Sequence, residues 1–495
     1  MSLSSELKKG ALVNFFGVVG KMAAPTFLVV VNRLYGPDVF GIYITANITI
    51  EIIIAFLSSG FKDGALIFVA RFADNKDDQK DLYTALSNAF AWSIGFSVIV
   101  LLIGIFWGAD ILQTVYKDEF SSELTSMFSL MLFSIPLMAF ERNVLAATQG
   151  LKIMKYDAIN NGWFRPIALL VFSVLFWMVN PSVIGMALAY VTTQALLFVV
   201  SVFIYSKELS WTKLGHAFKT FKVNAELVEF AIPQSLNMTL NRFITGIDIL
   251  MLPAFGFSPT VVGFYGAGSM LVREIRSVKM IFSTAFAPYI VRLHKEKMFE
   301  ELSHHFSKTA AWIASIAIPI ILLVAIFKDV FLAFIHPEYS ANSSFVYFLL
   351  PIPYLYCCFS LSGNVVAMTG HSKLTLMNSI IVSSTNIILN LILIPEYGII
   401  GAASASSIAM FILVCFETIE ARIVAKTKFY LKDMIRPHLA GFLASLFLVF
   451  GLISDIKLFT IDISNPVLLA TGSLLIFGAG VGTSFINKVK SKIVN

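Results

Sequence analysis

The chain has 495 residues, of which 57% are hydrophobic and only 13% charged, and its mean hydropathy is +0.82. A soluble domain of this size needs far more polar surface, which excludes a soluble enzyme. The net charge of +6 is carried by basic stretches with no aromatic interleaving and no nucleic-acid motif, so topology and anionic membrane lipid account for it and a nucleic-acid partner is discounted.

Apolar runs of about 20 residues, each long enough to cross the hydrocarbon layer, recur along the whole length. Lys8 and Lys9 lead into a first run too long for a signal peptide, with no A-x-A site after it. Fourteen spans are predicted, at 10–34, 41–70, 84–108, 124–147, 158–179, 183–206, 226–252, 260–289, 306–328, 344–367, 373–394, 398–423, 435–455 and 464–486. The fold class expected is therefore an all-α polytopic membrane protein. With the amino terminus placed in the cytoplasm, Lys117, Lys328 and Lys457 are the only cations in outside loops. That asymmetry obeys the positive-inside rule and puts both termini in the cytoplasm. Cys357, Cys358 and Cys415 all fall within spans, so no disulfide framework is expected. No H-E-x-x-H or C-x-x-C occurs, and neither a metal nor a cofactor is expected.

An internal repeat runs through the chain. "PDVFGIY" (37–43) returns as "PTVVGFY" (259–265), "AATQG" (146–150) as "VAMTG" (366–370), and "IGMALA" (184–189) as "IGAASA" (400–405). The copies appear in the same order at nearly constant offset, with six spans between them. An even number of spans gives two halves of the same orientation, related by a pseudo-two-fold axis along the membrane normal. Two six-helix bundles follow, 1–215 and 216–427, with accessory spans 13 and 14 in 428–495. "GFKDG" (60–64) and "GAGVG" (478–482) read as sites of close helix packing.

The stretches "NRLYGPDVFGIY" (32–43) and "NIILNLILIPEYGIIGAASAS" (386–406), with a six-plus-six-plus-two arrangement, resemble the Wzx-type polysaccharide flippases. These belong to the multidrug/oligosaccharidyl-lipid/polysaccharide exporter superfamily. The resemblance implies a V-shaped pair of helix bundles around a central cleft in the inner membrane. It also implies the activity: carrying undecaprenyl-pyrophosphate-linked oligosaccharide, an O-antigen or capsule repeat unit, from the cytoplasmic to the periplasmic leaflet by alternating access. A glycan polymerase or assembly complex is an implied partner, and a monomer the expected state.

Charges within the spans point toward an anionic cargo. A cation at a helix centre costs about 2.5–3.5 kcal/mol on insertion scales, so such residues face an interior or a wet cavity. Lys21 lies near the middle of span 1, Arg242 near the middle of span 7 at almost the repeat-equivalent position, and Arg273 near the middle of span 8. Arg276 and Lys279 follow Arg273 at a spacing of three, which on one helix keeps all three on a broad face. Guanidinium geometry suits a pyrophosphate. Lys21, Arg242, Arg273 and Arg276 are thus candidates for a headgroup cradle, and Lys279 for a first contact on the cytoplasmic side. Arg142 and Arg165 are secondary candidates, for guiding a glycan or, for one of them, as the partner that Glu141 neutralises; Asn237 and Asn241 are secondary candidates, for bonding sugar hydroxyls or for bonding across helices. Glu51 and Asp248 are candidates for proton or sodium coupling, with a static ion pair as the other reading of Glu51. Lys62, Asp63, Glu417 and Glu420, toward the cytoplasmic ends, read as local pairs or interface anchors.

Other readings compete. A cation- or proton-coupled drug exporter of the same superfamily should carry acids rather than Lys21, Arg242 and Arg273 at its centre. A lipid II flippase is the nearest sibling, and a scaffold for glycan assembly would leave the buried charges without a use. "GVVGKM" (17–22) mimics a P-loop tail but lacks the first glycine and the final Ser or Thr, so no nucleotide site is expected. With no nucleophile and base in a recognisable constellation, a transporter rather than an enzyme is expected.

Overall fold

The structure is a computed structural model that describes residues 23–72, 79–116, 118–428, 430–453, 457–458, 461–462, 470–471, 473–478 and 481. Lys21 and most of predicted span 14, with much of "GAGVG", lie outside the described residues.

The described chain is almost entirely helical. Its first helix, α1 (Ala23–Phe72), is 50 residues long. An unbroken helix of that length would reach about 75 Å, more than twice the roughly 30 Å hydrocarbon layer. It is interrupted at Gly36, whose φ of 87° a residue with a Cβ rarely adopts, and Pro37 begins the second arm. Predicted spans 1 and 2 lie on either side of that break. There follow α2 (Gln79–Val115), α3 (Asp118–Met131) and α4 (Ser134–Gly150). A bend of 41° separates the last two, within predicted span 4.

Next come α5 (Lys155–Ile159), a π-helical turn (Asn160–Phe164), α6 (Arg165–Val179) and α7 (Val183–Glu208). A short amphipathic helix, α8 (Trp211–Lys219), precedes α9 (Ala225–Ala254) and α10 (Pro259–Glu274). After these lie α11 (Ser277–Lys295), α12 (Phe299–Ile335), a 3₁₀ turn (Pro337–Asn342), α13 (Phe345–Leu349), α14 (Pro351–Cys358) and α15 (Leu361–Met368). The series ends with α16 (Ser372–Val424), broken at Gly398, then α17 (Leu431–Ile453) and a two-strand ribbon, β1 (Lys457–Leu458) with β2 (Ile461–Asp462). By length and composition, six described helices can cross a membrane, or eight counting each bent pair as one span. The helix α16 holds predicted spans 11 and 12 on the two sides of its glycine break, and α1 holds span 2 with residues 23–34 of span 1, whose residues 10–22 lie outside the described residues.

The chain divides into two compact units, 1–266 and 267–495. The first extends past the predicted bundle boundary at 215 because α9 packs along the second arm of α1. Small residues make this possible, as expected where backbone proximity rather than water exclusion drives helix association. A Cβ on Gly60 of the "GFKDG" stretch would collide with the backbone of Ala231, and the Gly60 N–H donates to Ser235 Oγ at 2.9 Å. Two copies of the repeat also meet here. A Cβ on Gly41 would strike the carbonyl of Pro259, and one on Gly263 would strike the carbonyl of Pro37. The crossing is reciprocal, with the equivalent glycine of each copy against the equivalent proline of the other.

Candidate functional site

Three helices of the first unit converge on one carboxylate. Glu51 projects from the second arm of α1, Arg142 from α4 and Arg242 from α9. Arg142 Nη2 donates to both Glu51 oxygens, at 3.2 and 3.0 Å, and Arg242 Nη2 lies 3.5 Å from the second oxygen. Arg142 and Glu51 are largely covered, with side-chain exposures of 19% and 24%, whereas Arg242 is 53% exposed. Two guanidiniums share one carboxylate, so the cluster carries a net positive charge. Its outermost member has the longest contact and the most open side chain. Asn241, the residue before Arg242, donates its amide to the Asn237 carbonyl one turn back on α9, at 2.9 Å.

A second cluster in the same unit is balanced in charge and has a buried carboxylate, with Arg165 24% exposed. Glu141 is 1% exposed and accepts from Arg165 Nη2 at both carboxylate oxygens, each at 2.7 Å. The Asn160 amide adds a third at 2.5 Å, and Arg165 also donates to Gln194 at 3.0 Å and to Asn161 at 3.3 Å. The π-helical turn just before Arg165 brings Asn160 and Asn161 to this pair; such turns are commonly found at specialised sites. Arg165, a candidate for cavity contacts, is therefore held as the structural partner of Glu141. Asp248 is likewise buried, accepting from the Tyr265 hydroxyl at 2.6 Å and from the Ile249 N–H at 2.9 Å. Lys62 and Asp63 form the expected local pair at 3.2 Å, and Asp63 also accepts from Gln234 on α9 at 2.8 Å.

The remaining cradle candidates belong to the second unit. The expected single helix over 260–289 is interrupted between Glu274 and Ser277. Amides 275, 276, 278 and 279 bond three residues back rather than four, at 3.1 to 3.3 Å. In such a tight turn residues three apart eclipse, so Arg276 and Lys279 still share a side. Both lie over the ring of Tyr356, at 4.8 and 4.1 Å from its centroid. The Ile275 carbonyl at the break faces Cys357 Sγ at 3.6 Å. Arg273, half-buried, lies in the last turn of α10.

Lys279 differs from its expected role as a first contact. It is 4% exposed, and its ammonium donates to the Ser360 carbonyl at 2.8 Å and to the hydroxyl at 3.2 Å. The Ser360 hydroxyl donates in turn to Glu417 at 2.7 Å, and a Cβ on Gly363 would collide with that carboxyl group. Glu420 accepts from Asn378 at 2.7 Å. Glu417 thus bonds to the residue that precedes α15, and Glu420 to the other arm of α16 across the Gly398 break, instead of anchoring at an interface. The Ser360 and Tyr356 contacts had no signal in sequence spacing, since they join residues more than 50 positions apart. Among the described residues, no group of three or more His, Cys, Asp or Glu is arranged to hold a metal ion.

The family model described as "Polysaccharide biosynthesis protein" matches residues 7–294, more than half the chain. The chain belongs to that family. A second model, MatE, matches residues 233–392. Together with its structural neighbours, this makes the chain a member of the multidrug/oligosaccharidyl-lipid/polysaccharide exporter superfamily, with multiple membrane-spanning helices. Among curated relatives, an uncharacterized membrane protein of Methanocaldococcus jannaschii, MJ1375, is 23% identical over 81% of this chain and 95% of its own length. Among solved structures, the lipid II flippase MurJ in an inward closed conformation aligns with a TM-score of 0.74 at 15% identity, covering 96% of this chain and 99% of that one. An inward-facing multidrug resistance transporter of the MATE family aligns at 0.67 and 13% identity, covering 81% and 94%. At these identities the likeness establishes the fold.

Proposed function

We propose that the protein is a flippase of the Wzx type. It carries undecaprenyl-pyrophosphate-linked oligosaccharide across the cytoplasmic membrane by alternating access, driven by a proton or sodium gradient, with both termini on the cytoplasmic side. The observation that carries this reading is the charge of the Glu51–Arg142–Arg242 cluster. Arg142 is engaged with the carboxylate at 3.0 Å, while Arg242 is held more loosely and stands half in the open. A diphosphate arriving at Arg242 gains a guanidinium partner without breaking the Arg142–Glu51 pair. Asn237 and Asn241 offer amide groups to sugar hydroxyls alongside.

The test is complementation of a strain lacking its lipid-linked glycan flippase. Arg242→Ala should abolish surface glycan at normal membrane abundance, and Arg242→Lys should restore part of it. Full glycan display by Arg242→Ala would remove the diphosphate from this cluster. The MatE match over 233–392 supports drug export by the same fold as the second reading. It would be favoured if the chain lowered sensitivity to organic cations while failing to restore glycan.

A further inference from the structure

Two predicted spans of the second unit are interrupted where the sequence offers neither glycine nor proline. Span 8 breaks at Ile275–Arg276, and span 10 bends by 45° at Phe359–Ser360, between α14 and α15. Backbone groups released by a break find no water in a hydrocarbon layer and must bond to protein. These two breaks bond each other. Cys357, just before the second, donates to the Ile275 carbonyl at the first, and Lys279, just after the first, donates to the Ser360 carbonyl at 2.8 Å.

A neutral donor would satisfy the Ser360 carbonyl equally, and a buried charge is far costlier than a buried neutral group. Yet the donor is an ammonium, with Lys279 and Ser360 only 4% and 2% exposed. Among the described residues Lys279 forms no direct ion pair. It reaches a carboxylate through the Ser360 hydroxyl, which accepts from Nζ at 3.2 Å and donates to Glu417 at 2.7 Å. Ammonium, hydroxyl and carboxylate form one chain of hydrogen bonds, buried at Lys279 and partly exposed at Glu417. Gly363, in the first turn of α15, leaves the carboxyl group space that a Cβ would fill. The other titratable groups acting on this chain are Arg276, Tyr356 and Cys357, and Glu420 one turn beyond Glu417; α15 carries none.

We propose that Glu417 binds the proton whose gradient drives transport, and that Ser360 and Lys279 convey its arrival to the paired breaks. The inference rests on the transport reading above and gives its coupling ion a place. A proton from water bonds to a Glu417 oxygen, and no covalent bond is broken. The carboxylate becomes a neutral acid that donates where it had accepted. The Ser360 hydroxyl then accepts from both Glu417 and Lys279, and its own hydrogen turns out of the chain. The net charge of the pair rises from zero to one, so the buried ammonium is left uncompensated and its hold on the Ser360 carbonyl weakens. Sodium fits less well, because both Ser360 oxygens already bond an ammonium that would repel a second cation.

The experiment is hydrogen-exchange mass spectrometry of the full-length protein in neutral detergent across a pH series, with rates corrected for the pH dependence of free amides. In the parent, peptides covering the two breaks should exchange about tenfold faster at the acid end than at the alkaline end, the effect of one hydrogen bond lost. Glu417→Gln, permanently in the neutral form, should exchange at the fast rate throughout. Ser360→Ala keeps the carbonyl that Lys279 holds but cuts the hydroxyl link, and should lose most of the response. Glu420→Gln should respond as the parent does. Corrected rates that ignore pH in the parent, or a response that persists in Glu417→Gln, would overturn the site. Rates that follow sodium at constant ionic strength instead of pH would overturn the proton. In the complementation strain, full glycan display by Glu417→Gln would overturn the coupling role. Exchange needs no glycan, and Arg242→Ala should keep the pH response, so failure of either reading is distinguishable from failure of the other.

Discussion

Glu141 and Arg142 are neighbours on α4, yet they belong to opposite kinds of charge cluster. One residue of helix turns the side chain by about 100°, so Glu141 faces Arg165 and Asn160 while Arg142 faces Glu51 on α1. The Glu141 cluster is neutral and its carboxylate is buried, accepting three bonds from Arg165 and Asn160. The Glu51 cluster has one cation in excess and opens at Arg242. A buried ion pair whose members are fully bonded fixes helix register, whereas an unequal, half-open cluster keeps attraction for an anion it does not yet hold. Depth in the membrane alone does not separate the two; the balance of charge does.

Substitutions can break or sharpen this contrast. The largest stability loss is expected for Arg165→Ala, which strands Glu141 in the interior and should cost about 3–5 kcal/mol in denaturant unfolding from micelles. An unfolding midpoint like that of the parent would mean the Glu141 cluster is no more structural than its neighbour. Replacing both partners, as Arg165→Met with Glu141→Leu, should return the protein to within about 1–2 kcal/mol of the parent, because no uncompensated charge is left. Glu51→Gln should cost about 1–2 kcal/mol, since the largely covered Arg142 loses its carboxylate but keeps an amide oxygen to donate to. Its clearer signature should be tighter retention of inorganic pyrophosphate in equilibrium dialysis, and weaker retention would contradict an anion-attracting role for the cluster. Arg242→Ala should lie within about 1 kcal/mol of the parent in the same unfolding series, despite its expected loss of transport.

Much of the backbone plan was legible. Gly-Pro at 36–37 and Pro395 with Gly398 mark the breaks in α1 and α16, because a positive φ and a missing N–H are visible as residue types. The interruption at Ile275–Arg276 was not, since "SMLVREIRSVKM" contains neither glycine nor proline. There the Cys357 thiol, brought in by the tertiary fold, meets the Ile275 carbonyl at the turn. Candidate charges could be picked out by their depth, but their partners could not. Arg142 is 91 positions from Glu51, and Lys279 is 81 from Ser360. Spacing along one helix says nothing about a neighbour that distant. Glu417 and Glu420 read as interface anchors for the same reason, their partners Ser360 and Asn378 lying 57 and 42 positions away.

The reciprocal contact at Gly41 and Gly263 bears on how a duplicated gene differs from a mechanical part. The sequence repeat cuts the chain near residue 215, but the backbone of "PTVVGFY" is seated against that of "PDVFGIY" on the far side of that cut. Each glycine is hemmed in by a main-chain carbonyl, which no change of side chain in the other copy can trim away. Two genes encoding 1–215 and 216–495 would therefore leave this crossing to form between separate polypeptides, and neither copy of the motif could drift to alanine at the other's expense. The repeat expected from the sequence and the packing of the backbone draw their borders at different places, and a split version should be designed from the second.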